Sequence, residues 1–346
     1  MASGGLAAVL ARAALPVLQR LPPEPAHELA LRALKLTRAA WRTPQVSPRL
    51  AVRVFGREFA HPVGLAAGFD KNGDYLDALG ALGFGHVEVG TVTPRPQPGN
   101  PKPRLFRVRE QRALINRMGF NNRGADHVAA RLRASNYAGI RGVSIGKNAD
   151  TPLERAADDY LECLRKLYDV ADYFAINVSS PNTRGLRELQ AAAALAGIVE
   201  PLRAERRRLD AQHGRHVPLL VKISPDLEPD ELRELCSALE GLGLEGVIAT
   251  NTSTGLPGFE ARLAAAGGGG VSGAPLTARA LDVLRAMRSA LGPGFPIIAA
   301  GGIMNAADAR ARLAAGANLL QLYTGFVYRG APLLAEILGE LQTTAP

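Results

Sequence analysis

Three of the chain's six lysines, Lys71, Lys147 and Lys222, stand at the C-terminal ends of short apolar runs. In a chain that otherwise uses arginine for positive charge, three compact ammonium groups so placed suit an anionic ligand or developing negative charge. The alternative is that they pair with neighbouring carboxylates and only brace the fold. Asparagine collects in the same stretches: Asn116, Asn121, Asn122, Asn148, Asn177, Asn182 and Asn251. An amide offers donors and an acceptor together, so a cluster fits the alternating N–H and C=O edge of a flavin or a pyrimidine. Any single asparagine serves equally well as a turn former. Gly301-Gly302 and Tyr323-Thr324-Gly325 follow two further apolar runs and precede helices expected at Asn305 and Ala331. Backbone N–H groups at such glycine-rich strand ends commonly hold a phosphate.

The elements that must position these groups repeat along the chain. Apolar runs occur at 62–66, 86–89, 142–145, 173–178, 218–223, 246–249, 296–300 and 318–322, separated by helical patterns such as 153–168, 186–209, 230–242 and 277–291. Near-continuous Val- and Ile-rich strands between helices mean a parallel sheet covered on both faces. Eight such units predict an α/β fold, a closed (β/α)₈ TIM barrel, with an open doubly wound sheet as the alternative. Three segments fall outside the repeat. Residues 1–42 form two short helical stretches split at Pro22-Pro23. Residues 53–59 read as a hairpin capping the barrel bottom. Residues 91–123 form a long insertion with a hairpin at 104–108 and 113–116, and loops that long are usually functional. The Gly267–Gly270 tract reads as a mobile loop.

Composition bounds the function. The 346 residues are 47% hydrophobic, enough for a large core, and carry a formal net charge of +9. Charge alone admits nucleic acid, an anionic membrane or an anionic ligand, but few aromatics and no recognised module speak against nucleic acid. Cys163 and Cys236 have no CxxC spacing, which points to a reducing compartment without a disulfide framework. No HExxH spacing supports a metal. No run is long enough to span a bilayer, and residues 6–18 lack the features of a signal peptide.

Seven ordered segments carry a more specific signal: 66–71, 89–94, 116–122 (Asn-Arg-Met-Gly-Phe-Asn-Asn), 177–183 (Asn-Val-Ser-Ser-Pro-Asn-Thr), 221–223, 249–252 and 269–276. Together they resemble dihydroorotate dehydrogenase, from about residue 20 to residue 340. The loop after the fourth strand presents Ser180 where the soluble class 1 branch uses cysteine, so the resemblance is to the quinone-dependent class 2 branch. It implies FMN held at Ala66, Ala67, Gly68, Phe69, Asp70, Thr91, Asn148, Asn177, Lys222 and Thr250. The FMN phosphate is expected around Gly273, Gly302, Tyr323 and Thr324. Lys222 would face the flavin N1–C2=O edge. Dihydroorotate would meet Lys71, Asn116, Arg117, Met118, Gly119, Phe120, Asn177, Asn182, Asn251 and Thr252. Ser180 would be the catalytic base, taking a proton from C5 while C6 gives hydride to the flavin, with orotate as product in pyrimidine synthesis. A serine without a His or carboxylate beside it needs help, from a water or from Thr183, screened by Phe120.

The resemblance also implies a membrane quinone as final acceptor, with His27, Arg107 and Tyr323 lining its path. The first residues fit on their own grounds: Leu29, Ala33, Leu36 and Ala40 follow helical spacing, Arg32, Lys35 and Arg38 face elsewhere, and Leu31, Leu34 and Trp41 widen the apolar surface. Such a helix can lie among lipid headgroups, or simply pack on the barrel. Residues 1–42 carry six basic and two acidic side chains, +4 of the total. The expected organisation is an amphipathic membrane and quinone extension at 1–44 and an FMN-binding barrel at 45–346, peripheral on the cytoplasmic side of the inner membrane. The oligomeric state is left open, and a monomer suffices. Two other readings remain at this stage: a flavin barrel acting on a different amide or hydroxy acid, and a non-catalytic barrel binding a phosphorylated ligand.

Overall fold

The protein is described by a computed structural model that covers residues 6–41 and 43–344. A hairpin, β1 (Val52–Val54) and β2 (Arg57–Phe59), precedes the first barrel strand, β3 (Val63–Leu65). The chain continues through β4 (His86–Val92), β5 (Leu105–Val108), β6 (Ala113–Asn116), β7 (Ile140–Ile145), β8 (Tyr173–Asn177), β9 (Leu219–Ile223), β10 (Gly246–Ala249), β11 (Gly270–Gly273), β12 (Ile297–Ala300) and β13 (Leu319–Leu322). Eight of these close a barrel, in the order β3-β4-β7-β8-β9-β10-β12-β13, with every neighbouring pair parallel. The open-sheet alternative is thereby excluded. Helices cover the outside and side chains fill the inside, so the strands are buried on both faces and carry no polar alternation. Every residue of β4, β8, β9, β12 and β13 is buried.

The β1–β2 hairpin plugs the N-terminal end. Val54 and Phe59 join Tyr173, Leu220, Ile248 and Ile298 in one apolar cluster, and a Cβ at Gly246 would come within 2.5 Å of the Phe55 ring. At the other end a three-stranded antiparallel sheet, β11-β6-β5, stands over the mouth. The tract expected as a loop at 267–270 ends in one of these strands. Gly267, Gly268 and Gly269 make a turn at positive φ, and Gly270 opens β11, paired with Asn116. The strand packs on its own cluster of Val108, Ile115, Leu256, Phe259 and Leu263.

Two helices lead into the barrel, α1 (Leu6–Leu18) and α2 (Pro23–Leu36), with Pro23 in the first turn of α2, where its missing N–H costs nothing. Polar contacts fix α2 to the barrel: Glu24 pairs with Arg104 at 2.7 Å, His27 bonds the Phe69 carbonyl and Lys35 donates to the Asp74 carbonyl, while Arg38, just beyond the helix, pairs with Asp77. Leu31 is buried in the main core, worth roughly 2 kcal/mol of apolar transfer. The apolar residues of this helix fall on two faces. Leu29 and Leu36 stand outward beside Arg32, while Ala26, Leu31 and Leu34 face inward. Apolar residues run most of the way round α2, so helical spacing alone did not say which stripe meets the barrel. The Arg206–Arg208 run sits within the helix Ala192–His213, and Arg206 is buried against Glu245.

Candidate active site

One cavity opens at the C-terminal ends of the barrel strands, and its wall is built from nearly all of them. It is lined by Ala66, Ala67, Gly68 and Lys71 after β3; Gly90 and Thr91 from β4; Asn177 and Ser180 around the end of β8; Lys222 from β9; and Thr250, Asn251 and Thr252 after β10. Gly301, Gly302, Ile303, Gln321, Tyr323, Thr324 and Gly325 close the remaining arc, and Asn116, Met118, Gly119, Phe120 and Asn121 form a flap from the long insertion. Phe120 holds φ +52°, a left-handed conformation that a bulky side chain adopts only where the surroundings force it. Among the described residues the lining contains two ammonium groups and no carboxylate or imidazole. That charge balance suits an anion.

The amides form a connected set. Asn177 Nδ2 donates to Thr91 Oγ1 at 2.8 Å, Asn251 Nδ2 donates to Ser179 Oγ at 2.9 Å, and Asn182 Nδ2 donates to Asn116 Oδ1 at 3.0 Å. Three buried oxygens on the wall, Asn121 Oδ1, Asn182 Oδ1 and Thr252 Oγ1, have no partner within the protein. Buried acceptors left this way are costly unless a ligand supplies N–H donors. A cyclic amide or a flavin imide does so. Ser180 is buried beside this set, and its Oγ accepts the Asn182 backbone N–H at 3.2 Å.

Glycines shape the far side of the cavity. Gly302 sits at φ +68°, and a Cβ there would lie 2.3 Å from Thr277 Cα; at Gly273 it would lie 2.3 Å from the Arg112 carbonyl oxygen. At Gly325 it would lie 2.2 Å from the Ile303 carbonyl oxygen. Only glycine allows backbone segments to approach this closely, and they do so at the strand ends where barrels commonly hold a phosphate. The helix expected at Ala331 begins there, and a short additional helix, Thr324–Arg329, precedes it and brings Thr324 and Gly325 to the wall.

Several expected site residues are placed elsewhere. Asn148 spends its Nδ2 on Thr93 Oγ1, the Arg95 carbonyl and Gln97 Oε1, so it braces a loop behind the cavity. Asp70 accepts the backbone N–H groups of Asn72, Asp74 and Tyr75 and shapes the turn that carries Lys71. Burial raises its carboxyl to about 6. Arg117 points outward to the Pro101 and Pro103 carbonyls. Lys147 donates to the Asn148 and Thr151 carbonyls and belongs to the structural alternative. Lys71 does line the cavity, and burial brings its ammonium down to about 8.

A second cavity, of about 330 Å³, lies between the two N-terminal helices and the barrel. Its wall is apolar: Leu15, Leu18, Ala30, Leu31, Leu34, Trp41 and Phe326, with His27 and Arg107 among them. Phe69, expected at the flavin, belongs to this wall. His27 donates from Nε2 to the Phe69 carbonyl at 2.8 Å, which leaves Nδ1 as an acceptor. Burial lowers its pKa to about 4, so the ring is neutral. Arg107 holds the Gln19 and Leu21 carbonyls at the end of α1, and its Nε is buried without a protein partner. Tyr323 lines both cavities, donates to the Gly68 carbonyl, and meets the edge of Phe69.

Comparison with known proteins places these features. Residues 49–344 match the sequence profile of the family described as dihydroorotate dehydrogenase. A protein of Methylococcus capsulatus named dihydroorotate dehydrogenase (quinone) is 53% identical over 327 residues, 93% of this chain and 96% of its own. One from Alkalilimnicola ehrlichii with the same name is 52% identical over the same shares of both chains. Among solved structures, a crystal structure of DHODH from Eimeria tenella in complex with ferulenol is similar with a TM-score of 0.87 at 36% identity, covering 95% of this chain and 93% of that one.

Proposed function

The chain belongs to the dihydroorotate dehydrogenase family, in its quinone-dependent branch, and from that premise we propose how its residues divide the work. The protein oxidises dihydroorotate to orotate with a flavin as cofactor and a quinone as electron acceptor, a step of pyrimidine biosynthesis. The observation that carries the division is that two cavities of opposite character share Tyr323 as a common wall. The polar cavity takes substrate and flavin. The apolar one takes the quinone.

We propose that the flavin is FMN. The glycine cradle at Gly273, Gly302 and Gly325 suits its phosphate, and Ala66 to Gly68, Thr91, Asn177, Lys222 and Thr250 surround its ring. When bound, the flavin supplies the two-electron acceptor that links substrate oxidation to quinone reduction. The chain's own groups do the rest. Lys71 pairs with the substrate carboxylate. Asn116, Asn177, Asn182, Asn251 and Thr252 match its amide edge. Ser180 takes the C5 proton, and Phe120 screens the reacting atoms from bulk solvent. Acid release of the flavin tests the cofactor: the freed chromophore should have the mass of FMN, and FAD would refute the assignment.

Lys71 also sets a pH dependence. Its ammonium, not its amine, attracts the carboxylate, and in the ligand-free protein that charge is lost as pH rises through about 8. The quantity kcat/KM reports groups of the free enzyme, so it should fall above this pH by up to about tenfold per unit while kcat changes less. A flat kcat/KM profile up to the lysine range would separate Lys71 from substrate binding.

For the second cavity, we propose that residues 1–44 form a quinone-admitting and membrane-contacting unit on the barrel of 45–346. Arg107 Nε and His27 Nδ1 are polar groups that a quinone carbonyl, or the hydroxyl it becomes, can engage. Among the described residues, the large exposed apolar side chains are Val17 at 57%, Leu21 at 38%, Leu29 at 50% and Leu36 at 87%, all on this extension. No helix of the described residues is long and apolar enough to cross a membrane. Peripheral attachment to the cytoplasmic side of the inner membrane follows as part of the proposal, with the basic excess of residues 1–42 adding about 1 kcal/mol per charge near an anionic leaflet.

A further inference from the structure

Behind the floor of the polar cavity, buried polar side chains gather around Glu88. Glu88, on β4, is fully buried. Its Oε2 accepts the Tyr173 hydroxyl at 3.0 Å and Gln321 Nε2 at 2.8 Å. The Lys222 ammonium stands 3.7 Å from its Oε1, within ion-pair range and beyond hydrogen-bond range. These partners come from β8, β13 and β9, none of which pairs with β4, so the contacts cross the barrel interior. Lys222 and Gln321 reach the cavity wall, while Glu88 and Tyr173 are not part of it. Glu88 Oε1 and Gln321 Oε1 have no hydrogen-bond partner.

A carboxylate this deep persists only when paired, because an isolated buried charge is strongly disfavoured. The pairing acts in both directions. Lys222 neutralises Glu88, and Glu88 offsets the positive charge that Lys222 presents to the cavity. The sequence marks the arrangement by placing Glu88 between valines in Val-Glu-Val on β4 and Gln321 between leucines in Leu-Leu-Gln-Leu on β13.

We propose that Glu88 is a positioning residue that sets the charge of the cavity floor. Through its ion pair it limits the pull of Lys222 on the negative charge of a reduced flavin, so that electrons received from dihydroorotate are still released to a quinone. This rests on the flavin reading above. In the low-dielectric interior, removing one negative charge next to Lys222 stabilises bound anions and the reduced cofactor.

The experiment compares Glu88→Gln, which keeps size and can keep the Tyr173 and Gln321 bonds, with the unaltered flavoprotein. Its readouts are the midpoint potential and the affinity for sulfite, a small anion that adds to oxidised flavins. The expected results are a higher potential and sulfite binding tighter by about tenfold, with quinone reoxidation slowed. An unshifted potential together with a sulfite affinity within twofold of the unaltered protein would overturn the proposal, even if the variant melts at a lower temperature. The apoproteins give an independent check, also if Glu88→Gln does not fold or hold flavin. Lys222→Met should melt lower because it strands the carboxylate, and adding Glu88→Gln should recover much of that loss. A double variant that melts no higher than Lys222→Met would likewise overturn it. Unaltered protein that carries no flavin would instead refute the functional reading.

Discussion

Replacing Ser180 with alanine should slow flavin reduction by dihydroorotate about a thousandfold, the range in which a positioned base usually contributes, while reoxidation by quinone keeps its rate. The argument runs through geometry. Ser180 lines the polar cavity, buried to 5% exposure, with its Oγ fixed by the Asn182 N–H. No imidazole or carboxylate lines the same cavity among the described residues, so no triad raises the basicity of this hydroxyl. The proton must leave by a relay. Thr183 is buried three residues on but does not line the cavity, which favours a bound water as the immediate acceptor, enclosed by Phe120. Because the relay ends in solvent, the reductive step should quicken with rising pH as long as Lys71 keeps its charge. Stopped-flow bleaching of the flavin measures the step directly. Near-normal bleaching in Ser180→Ala would remove serine from the role of base.

Filling the apolar cavity should do the reverse. Deleting residues 1–42 is a blunt way to probe it, because Glu24 holds Arg104, His27 holds the Phe69 carbonyl and Leu31 is buried in the core. Loss of these contacts would disturb the loop that carries Lys71. Ala30→Trp is sharper: Ala30 lines the cavity from α2 and makes none of those contacts. An indole placed there should raise the KM for quinone at least tenfold, about 1.4 kcal/mol or more, and leave flavin reduction by dihydroorotate unchanged. Equal loss in both half-reactions would mean that the two cavities do not work separately.

How much of this was legible in the sequence depended on what each residue does. All eight barrel strands were legible, because a strand buried on both faces leaves a short apolar run that turns interrupt. The site was legible at backbone level, since ligands collect at strand ends, and Lys71, Lys222, Asn177, Ser180 and Asn251 are there. Which way a strand-end side chain turns was not legible. Asn148 and Lys147 follow the same strand as closely as any functional residue, yet both are spent on neighbouring carbonyls. β11 was hidden because a tract of four glycines resembles a linker, whereas here three glycines make a turn and the fourth leaves room for Thr252, whose Oγ1 would touch a Cβ at Gly270. The inward face of α2 was hidden because apolar residues occur on both of its sides, one lining a cavity and the other exposed. Glu88 and Gln321 passed unnoticed within runs read for their hydrophobicity, although a polar residue inside such a run is itself a signal.

The central claim is that substrate oxidation and quinone reduction occur at two cavities joined at Tyr323. The most direct test is an anaerobic sequential-mixing measurement on the purified, flavin-loaded protein. Dihydroorotate should bleach the flavin without quinone present, and a short-chain quinone added afterwards should restore the oxidised spectrum at a rate independent of leftover dihydroorotate, whereas fumarate should not. Reoxidation by fumarate but not by quinone, or competition between dihydroorotate and quinone for one site, would contradict the account.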